Sequence, residues 1–470
     1  MRIPFDLIAA VICIEGIRRQ LLMDAYHHIA FVSASLSETL VVWGAFLLTS
    51  WLANELVARD MEWRTRFGHR PSGVSSKHHP MEIHIWGSRA AMLLNVVLYA
   101  GILWFYQWPL QAAQWPEWLG FSPDAHLGRM PLKESSLVMM FIMLAPFLIS
   151  MVLSWVPRWR FSGARWRRGS FMAFLIYEAK LTWVPLMLWL IIAALHDATM
   201  MMPVGYSSWL DLPAIAALMP IAGIFFVSVI AMPRAIIWWW DCRPLPDGEL
   251  KDRLLSIMEK SGVKARAIMT WGPGNSGLLN ACVLGPWARF RYVLISPQLV
   301  ETLGVQETEA VLAHELGHAR HGHLTLLLVM ILCLSAFLTP LMEVLTHFHV
   351  SPIVEGAAAI AFVILYIWLI FGAIMRLCER EADLASAEIM GTPAPIVNAL
   401  EKLALLSGNI REVWCWHHGS IAERVAAVER LSQDSASGRQ FHSHLRRVRV
   451  VLTLIAATAL VMQVVSALIL

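Results

Sequence analysis

The sequence predicts a mainly α, polytopic membrane protein of about eight transmembrane helices, with a small α+β domain on one side of the bilayer. Three observations point there. Of 470 residues, 57% are hydrophobic and only 15% charged, against roughly 45–50% and about 25% in soluble domains. Apolar runs long enough to span a bilayer recur along the chain. Two polar regions, Asp241–His323 and Arg376–Arg449, interrupt them with the periodicity of short strands and amphipathic helices. A mean hydropathy of +0.58 excludes a disordered chain and an ordinary soluble enzyme. The net charge of +3 gives no sign of a nucleic-acid partner. Six cysteines (Cys13, Cys242, Cys282, Cys333, Cys378, Cys415) lie scattered without a C-x-x-C pair, which reads as reduced thiols rather than a disulfide framework.

A helix needs about 20 apolar residues to cross the hydrocarbon. The stretches that meet this are Leu36–Val57, Ile85–Phe105, Leu137–Trp155, Phe171–Leu195, Leu212–Trp240, Leu324–Leu345, Ile353–Met375 and Val450–Leu470. The fourth is interrupted by Glu178 and Lys180. Leu7–Ile14 is too short to span, and it lacks an A-x-A site between Asp6 and Glu15; it is not read as a cleaved signal peptide. Basic residues crowd alternate loops, as at Arg59–Lys77 and Arg158–Arg168, whereas residues 196–211 and 346–352 have none. By the positive-inside bias, the basic loops face the cytosol together with both polar regions, while Arg18 and Arg19 fall outside in this scheme. The chain therefore divides into residues 1–240 with five spans, a first polar part 241–323, a transmembrane hairpin 324–375, a second polar part 376–449 and a last span 450–470. Twenty-two Trp suit the membrane–water boundary, Trp238–Trp240 above all.

In the first polar part, Asp247–Lys260 reads as an amphipathic helix, and Arg266–Trp271, Asn280–Leu284 and Arg291–Ile295 as short strands. Ser296-Pro297 marks a helix start, with Ser as cap and Pro in the first turn.

The chemistry concentrates in His314-Glu315-Leu316-Gly317-His318. Four residues apart on a helix, the two imidazoles share a face and can hold one zinc ion. Glu315, one residue on, is placed to act as general base toward an activated water. A third histidine six residues after the second would complete one known zinc pattern, but position 324 is Leu. The alternative is a distant glutamate followed four residues later by aspartate, which Glu379 and Asp383 supply in Arg376–Asp383. Glu379 can then be the third ligand, and Asp383 can fix the tautomer of a ligand histidine. Glu381 falls on another face. Both ligand segments adjoin predicted spans, which sets the site close to the bilayer surface.

H-E-L-G-H after Ala310-Val-Leu-Ala, then Glu379-x-x-x-Asp383 beyond a helical hairpin, resembles the integral-membrane zinc metallopeptidases that include HtpX and the type I CAAX prenyl endopeptidase. That resemblance implies a cytosolic gluzincin metalloprotease domain with one zinc ion per chain, held by His314, His318 and Glu379, with Glu315 as base. Asn280-Ala281-Cys282 is similar to the family's N-A stretch, whose strand lines the substrate cleft. His418-Gly-Ser-Ile-Ala-Glu-Arg424 resembles the H-P-x-x-x-x-R element, so His418 and Arg424 would stabilise an oxyanion or orient a ligand; Gly419 stands where the family usually has Pro, and His417 stays an alternative to His418. The likeness covers residues 245–432. Five spans before the active helix match the prenyl endopeptidase layout better than that of HtpX, which has two.

The expected protein is thus a multi-pass membrane endopeptidase whose partners are a membrane-associated protein or peptide substrate and the bilayer. A transporter or scaffold with a vestigial zinc site, or a sensor-type protease acting on a cytosolic regulator, are the competing readings. Glu178, Lys180, Arg89 and Asn95 are candidates for an intramembrane polar pathway or for snorkelling span ends.

Overall fold

The computed structural model describes residues 35–67, 80–161 with short interruptions, isolated positions between 171 and 197, and 230–469 except 272–278, 349, 351 and 408. The short apolar run Leu7–Ile14, Arg18 and Arg19, most of the spans Phe171–Leu195 and Leu212–Trp240, and the basic residues Arg165, Arg167 and Arg168 lie outside the described residues. The chain forms two compact units, 1–211 and 212–470.

Among the described residues, the first unit has three long helices, α1 (Leu36–Phe67), α2 (Pro80–Phe105) and, after two short helices α3 (Trp108–Ala112) and α4 (Trp115–Trp118) and a small hairpin β1–β2 (His126–Leu127, Met130–Pro131), α5 (Ser136–Phe161). Trp43, Phe46, Tyr99, Leu103, Trp108 and Phe147 form its core. The Tyr99 hydroxyl donates to the Met143 carbonyl at 2.6 Å, which satisfies its one polar atom inside an apolar cluster. Trp43, Trp108 and Trp115 are thus buried in this core. Asn95 is buried beside a small cavity that Asn54, Ser150 and Ser154 also line; Glu178 and Lys180 are not among its lining residues.

The second unit holds a four-stranded sheet in the order β3 (Arg243–Pro244), β4 (Ala267–Thr270), β6 (Tyr292–Ile295), β5 (Ala281–Leu284). β4 and β6 run parallel, and the other pairs are antiparallel. α6 (Glu249–Ser261) ends at Gly262 with φ 69°, the left-handed position that glycine occupies without a Cβ clash. Ser296 caps α7 (Pro297–Thr302) by accepting from the Leu299 N–H, as its pairing with Pro297 predicts. α8 (Val305–Arg320) buries Leu312, Ala313 and Leu316 against Val293, Ile295 and Leu299. On its other side lies α11 (Gly372–Met390).

Between α8 and α11 runs the hairpin: α9 (His323–His347), α10 (Pro352–Leu365) and a π-helical turn Tyr366–Phe371 that leads without a break into α11. Across the hairpin the Tyr366 hydroxyl donates to the Met330 carbonyl at 2.8 Å. Large apolar side chains such as Ile331, Ile364, Trp368 and Leu369 point outward, where only a nonaqueous medium would suit them together. The chain then forms α12 (Ala394–Leu406), α13 (Ile421–Gln433) and the long α14 (Ser435–Ile469).

Among the described residues, four helical stretches are long and apolar enough to cross a membrane: Leu36–Arg59, Leu137–Val156, His323–Leu345 and Ala361–Met390. Ala90–Leu103 is a shorter apolar stretch. The last predicted span, Val450–Leu470, lies in α14 and continues a helix that begins at Ser435. Of the Trp238–Trp240 run, Trp238 is 75% exposed, whereas Trp240 is buried and stacks on Trp271 with centroids 4.8 Å apart. α8 is not continuous with α9. It stops at Arg320, and Gly322 turns the chain at φ 67° before α9 starts.

Helices α8 and α11 approach most closely at Gly317. A Cβ there would sit 3.0 Å from the Ala385 Cβ and 3.1 Å from the Ala382 Cα. The Ser386 hydroxyl, donating to the Ala310 carbonyl at 2.7 Å, ties the same pair about two turns back along α8. Gly317→Ala should therefore force the two helices apart, at a cost of about 1–3 kcal/mol. A lower melting temperature of the purified variant checks this, and unchanged melting would mean the helices yield freely.

Candidate active site

α8 and α11 each present two side chains to the gap between them, because residues four apart share a helix face. His314 and His318 come from α8, Glu379 and Asp383 from α11. The His314 and His318 Nε2 atoms lie 3.2 Å apart. Glu379 stands 3.7 Å from the first and 3.6 Å from the second through its two oxygens. One ligand atom from each residue falls within 4.8 Å of the others. Glu379 and Asp383 are buried, at 3% and 0% exposure, and so are not part of a solvated charged helix end.

Asp383 reaches His314 from behind, its Oδ1 2.9 Å from Nδ1. A proton on Nδ1 toward that carboxylate leaves Nε2 with its lone pair facing the gap. Burial opposes charge on His314, but Asp383 outweighs it and shifts the imidazole upward. Burial carries His318 well below the ordinary imidazole value, so its ring is neutral. The gap is thus ringed by two imidazole nitrogens and a carboxylate. This donor set, two nitrogens and one oxygen, is of the kind that holds a zinc ion.

Arg424, at the start of α13, braces both carboxylates. Its Nε and Nη2 donate to Asp383 at 2.8 and 2.7 Å, and Nη1 lies 3.1 Å from Glu379. The helix is set by a capping box, in which the Ser420 hydroxyl accepts from the Glu423 N–H and Glu423 from the Ser420 N–H. His418 places Nδ1 3.0 Å from Glu379 Oε1. Both residues of the H-x-x-x-x-x-R element therefore contact Glu379. Gly419 departs from the familiar Pro for a visible reason. Its φ is 74°, which Pro cannot adopt, and its N–H donates to the Cys415 carbonyl at 2.8 Å. His417 lies 3.3 Å from the Cys415 sulfur through Nδ1, and its ring sits against that of His418 at a 46° tilt, centroids 4.0 Å apart.

Glu315 is half-buried; desolvation pushes its carboxyl up to about 7. β5 packs against α8, and desolvation together with the Glu315 charge raises the Cys282 thiol well above its ordinary value. Ala281 and Cys282 lie in β5, where the described residues show pairing on one side only, with β6. Asn280 precedes it and exchanges backbone bonds with Ser296: its N–H donates to the Ser296 hydroxyl, and its carbonyl accepts from the Ser296 N–H.

The sequence pattern of peptidase family M48 matches residues 244–432. This segment is an M48 peptidase domain. Its bounds agree with the likeness drawn from motifs over 245–432. A protease HtpX homolog of Janthinobacterium sp. (strain Marseille) is 25% identical to the chain over 167 residues, covering 33% of this chain and 56% of the relative. Another, from Aeropyrum pernix, is 26% identical over 223 residues, covering 42% and 68%. The chain thus spans little more than half the length of the first relative. The crystal structure of S. mikatae Ste24p superposes with a TM-score of 0.51, covering 83% of this chain and 98% of that one at 15% identity. At that identity the likeness is one of fold, a polytopic helical membrane protein around the M48 domain.

One group of residues near the M48 site escaped the motif reading. Glu381, taken to point away on the helix, is 1% exposed and gathers His321, His323, His442 and Arg449 around it. The sequence signal for it is the repeated histidine in His321-Gly322-His323, which follows His318 without matching the i, i+4 spacing.

Proposed function

We propose that the chain is a zinc-dependent membrane endopeptidase that hydrolyses peptide bonds of membrane-associated protein or peptide substrates at the cytosolic membrane surface. The observation that carries this reading is the convergence of His314, His318 and Glu379 within 4.8 Å, with Glu315 next to the first ligand. Zinc, when bound by these three residues, supplies Lewis acidity toward a carbonyl oxygen and makes a water acidic enough to ionise near neutral pH. Glu315 takes the proton from the attacking water and returns it to the leaving amine. Asp383 holds His314 in the tautomer that faces the site, while Arg424 keeps Asp383 and Glu379 ionised and in place. His418, next to Glu379, completes the wall of the site and is the side chain there closest to solvent, at 39% exposure. β5 from Ala281 to Leu284 offers its edge to an extended substrate; backbone pairing of this kind tolerates varied side chains.

Support for a substrate drawn from the membrane is local. The helix that carries His314 and His318 is followed at once by the apolar stretch His323–Leu345, and α11 forms the C-terminal part of the stretch Ala361–Met390. The basic loops favour the cytosolic side. Purified protein reconstituted in vesicles should cleave an added peptide, lose that activity on chelation, and regain it with one equivalent of zinc per chain. Inside-out vesicles should cleave and right-side-out vesicles should not. Full activity after exhaustive chelation, or equal activity in both orientations, would overturn the corresponding part.

A further inference from the structure

The two histidines of the site are held from behind in different ways. Behind His314 stands a carboxylate, Asp383, itself held by Arg424. Behind His318 stands another imidazole: His318 Nδ1 lies 2.6 Å from His323 Nδ1. The other nitrogen of His323 is 2.8 Å from Glu381 Oε2, and Glu381 is paired with Arg449. His323 and Glu381 are both buried, at 4% and 1% exposure.

We propose that His323 and Glu381 are positioning residues, forming a buried relay from His318 through His323 to Glu381 that sets the tautomer and orientation of the second zinc-site imidazole. This rests on the zinc reading above. The protons can be assigned by continuity. His318 Nε2 faces His314 and Glu379, so its lone pair belongs to the metal side and its proton to Nδ1. That N–H donates to His323 Nδ1, which must be the acceptor. The proton of His323 then sits on Nε2 and donates to Glu381. Each step leaves one assignment for the next, and the chain ends on an ionised carboxylate.

Glu381 is anchored for this role. His442 Nδ1 lies 3.0 Å and His321 Nδ1 3.3 Å from its Oε1, while Arg449 and His323 occupy Oε2. His442 also reaches Glu388 at 3.4 Å through its other nitrogen. The trio His321, Glu381 and His442 would by distance alone admit a second cation. A carboxylate has about four lone-pair sites, however, and here the four contacts already match them. The Arg449 charge on the same carboxylate also opposes a divalent ion. Arg449 comes from α14, so the relay joins the last helix to the zinc site, as Arg424 joins α13.

The test uses the full chain in detergent or nanodiscs with His323→Leu and His323→Gln. The glutamine amide can still accept from His318 and donate to Glu381, whereas leucine keeps bulk alone. Zinc affinity is measured by competition with a chelating dye, and the visible spectrum of the cobalt-substituted protein reports ligand geometry. His323→Leu should weaken zinc by about 10–100-fold and shift the cobalt bands, and His323→Gln should restore most of both. Equal affinity and spectrum in His323→Leu and wild type would overturn the relay alone. So would equal loss in both variants, which marks a packing defect. A second zinc equivalent in wild type that vanishes in Glu381→Gln would overturn it in favour of a second metal site. Failure of the wild type to bind zinc at all would overturn the zinc reading itself, and the relay with it.

Discussion

Glu315→Gln is expected to abolish peptide cleavage, by at least about 100- to 10,000-fold, while the variant still binds one zinc. The glutamine is nearly isosteric, and Glu315 is not one of the three converging ligands, so the metal site should survive. What is lost is the proton acceptor. Desolvation holds the Glu315 carboxyl up near 7, which suits a group that must take and release a proton near neutrality. Positive charge from a bound cation would draw it down again, toward the base form. Turnover of a peptide substrate and metal content of the same preparation check the prediction together. Cleavage at the wild-type rate would sink the peptidase reading. Loss of both zinc and cleavage would move Glu315 from catalysis to the architecture of the site.

Arg424→Met is expected to produce the largest loss of stability. Arg424 carries the one guanidinium held between Asp383 and Glu379, and its side chain is 13% exposed. Removing one partner from a buried ion pair costs about 3–5 kcal/mol, because the other charge stays behind unpaired. Here two carboxylates stay behind. The drop should be greatest without metal, since zinc binding to the native state recovers stability by mass action. Melting curves with chelator and with excess zinc measure the difference. Arg424→Lys keeps the charge but cannot make the two-pronged contact with Asp383, so it should fall between. An Arg424→Met variant that melts like wild type in chelator would show that the arginine does not neutralise the pair.

Much of this site could be read without coordinates because its parts are local. His314 and His318 are one helical turn apart, as are Glu379 and Asp383, and an i, i+4 spacing determines a shared face whatever the rest of the chain does. The strand and helix bounds near Ser296-Pro297 and β5–β6 were legible for the same reason: caps, prolines and short apolar alternation act over a few residues. The spans were legible from length and hydropathy alone, although only four stretches meet that test among the described residues.

What lay beyond local pattern was every contact made between distant segments. The motif made Glu381 a bystander on the wrong face of α11. Yet that face is covered by α14 and by the turn at His321–His323, so the carboxylate is buried and must be paired. The tryptophans pointed to the membrane boundary by composition, but Trp43 and Trp108 fill the interior of a helical unit because their neighbours leave an aromatic-sized space there. Gly419 looked like a flaw in a motif until its left-handed backbone explained it. Local spacing and hydropathy were enough to show which atoms could ligate a metal, which carboxylate could serve as base, and which stretches favour lipid. What stands behind His314 and His318 became visible in the folded chain, Asp383 and Arg424 on one side and His323, Glu381 and Arg449 on the other. The reason is physical: a burial penalty depends on what covers a group, and that is supplied by segments remote in the chain.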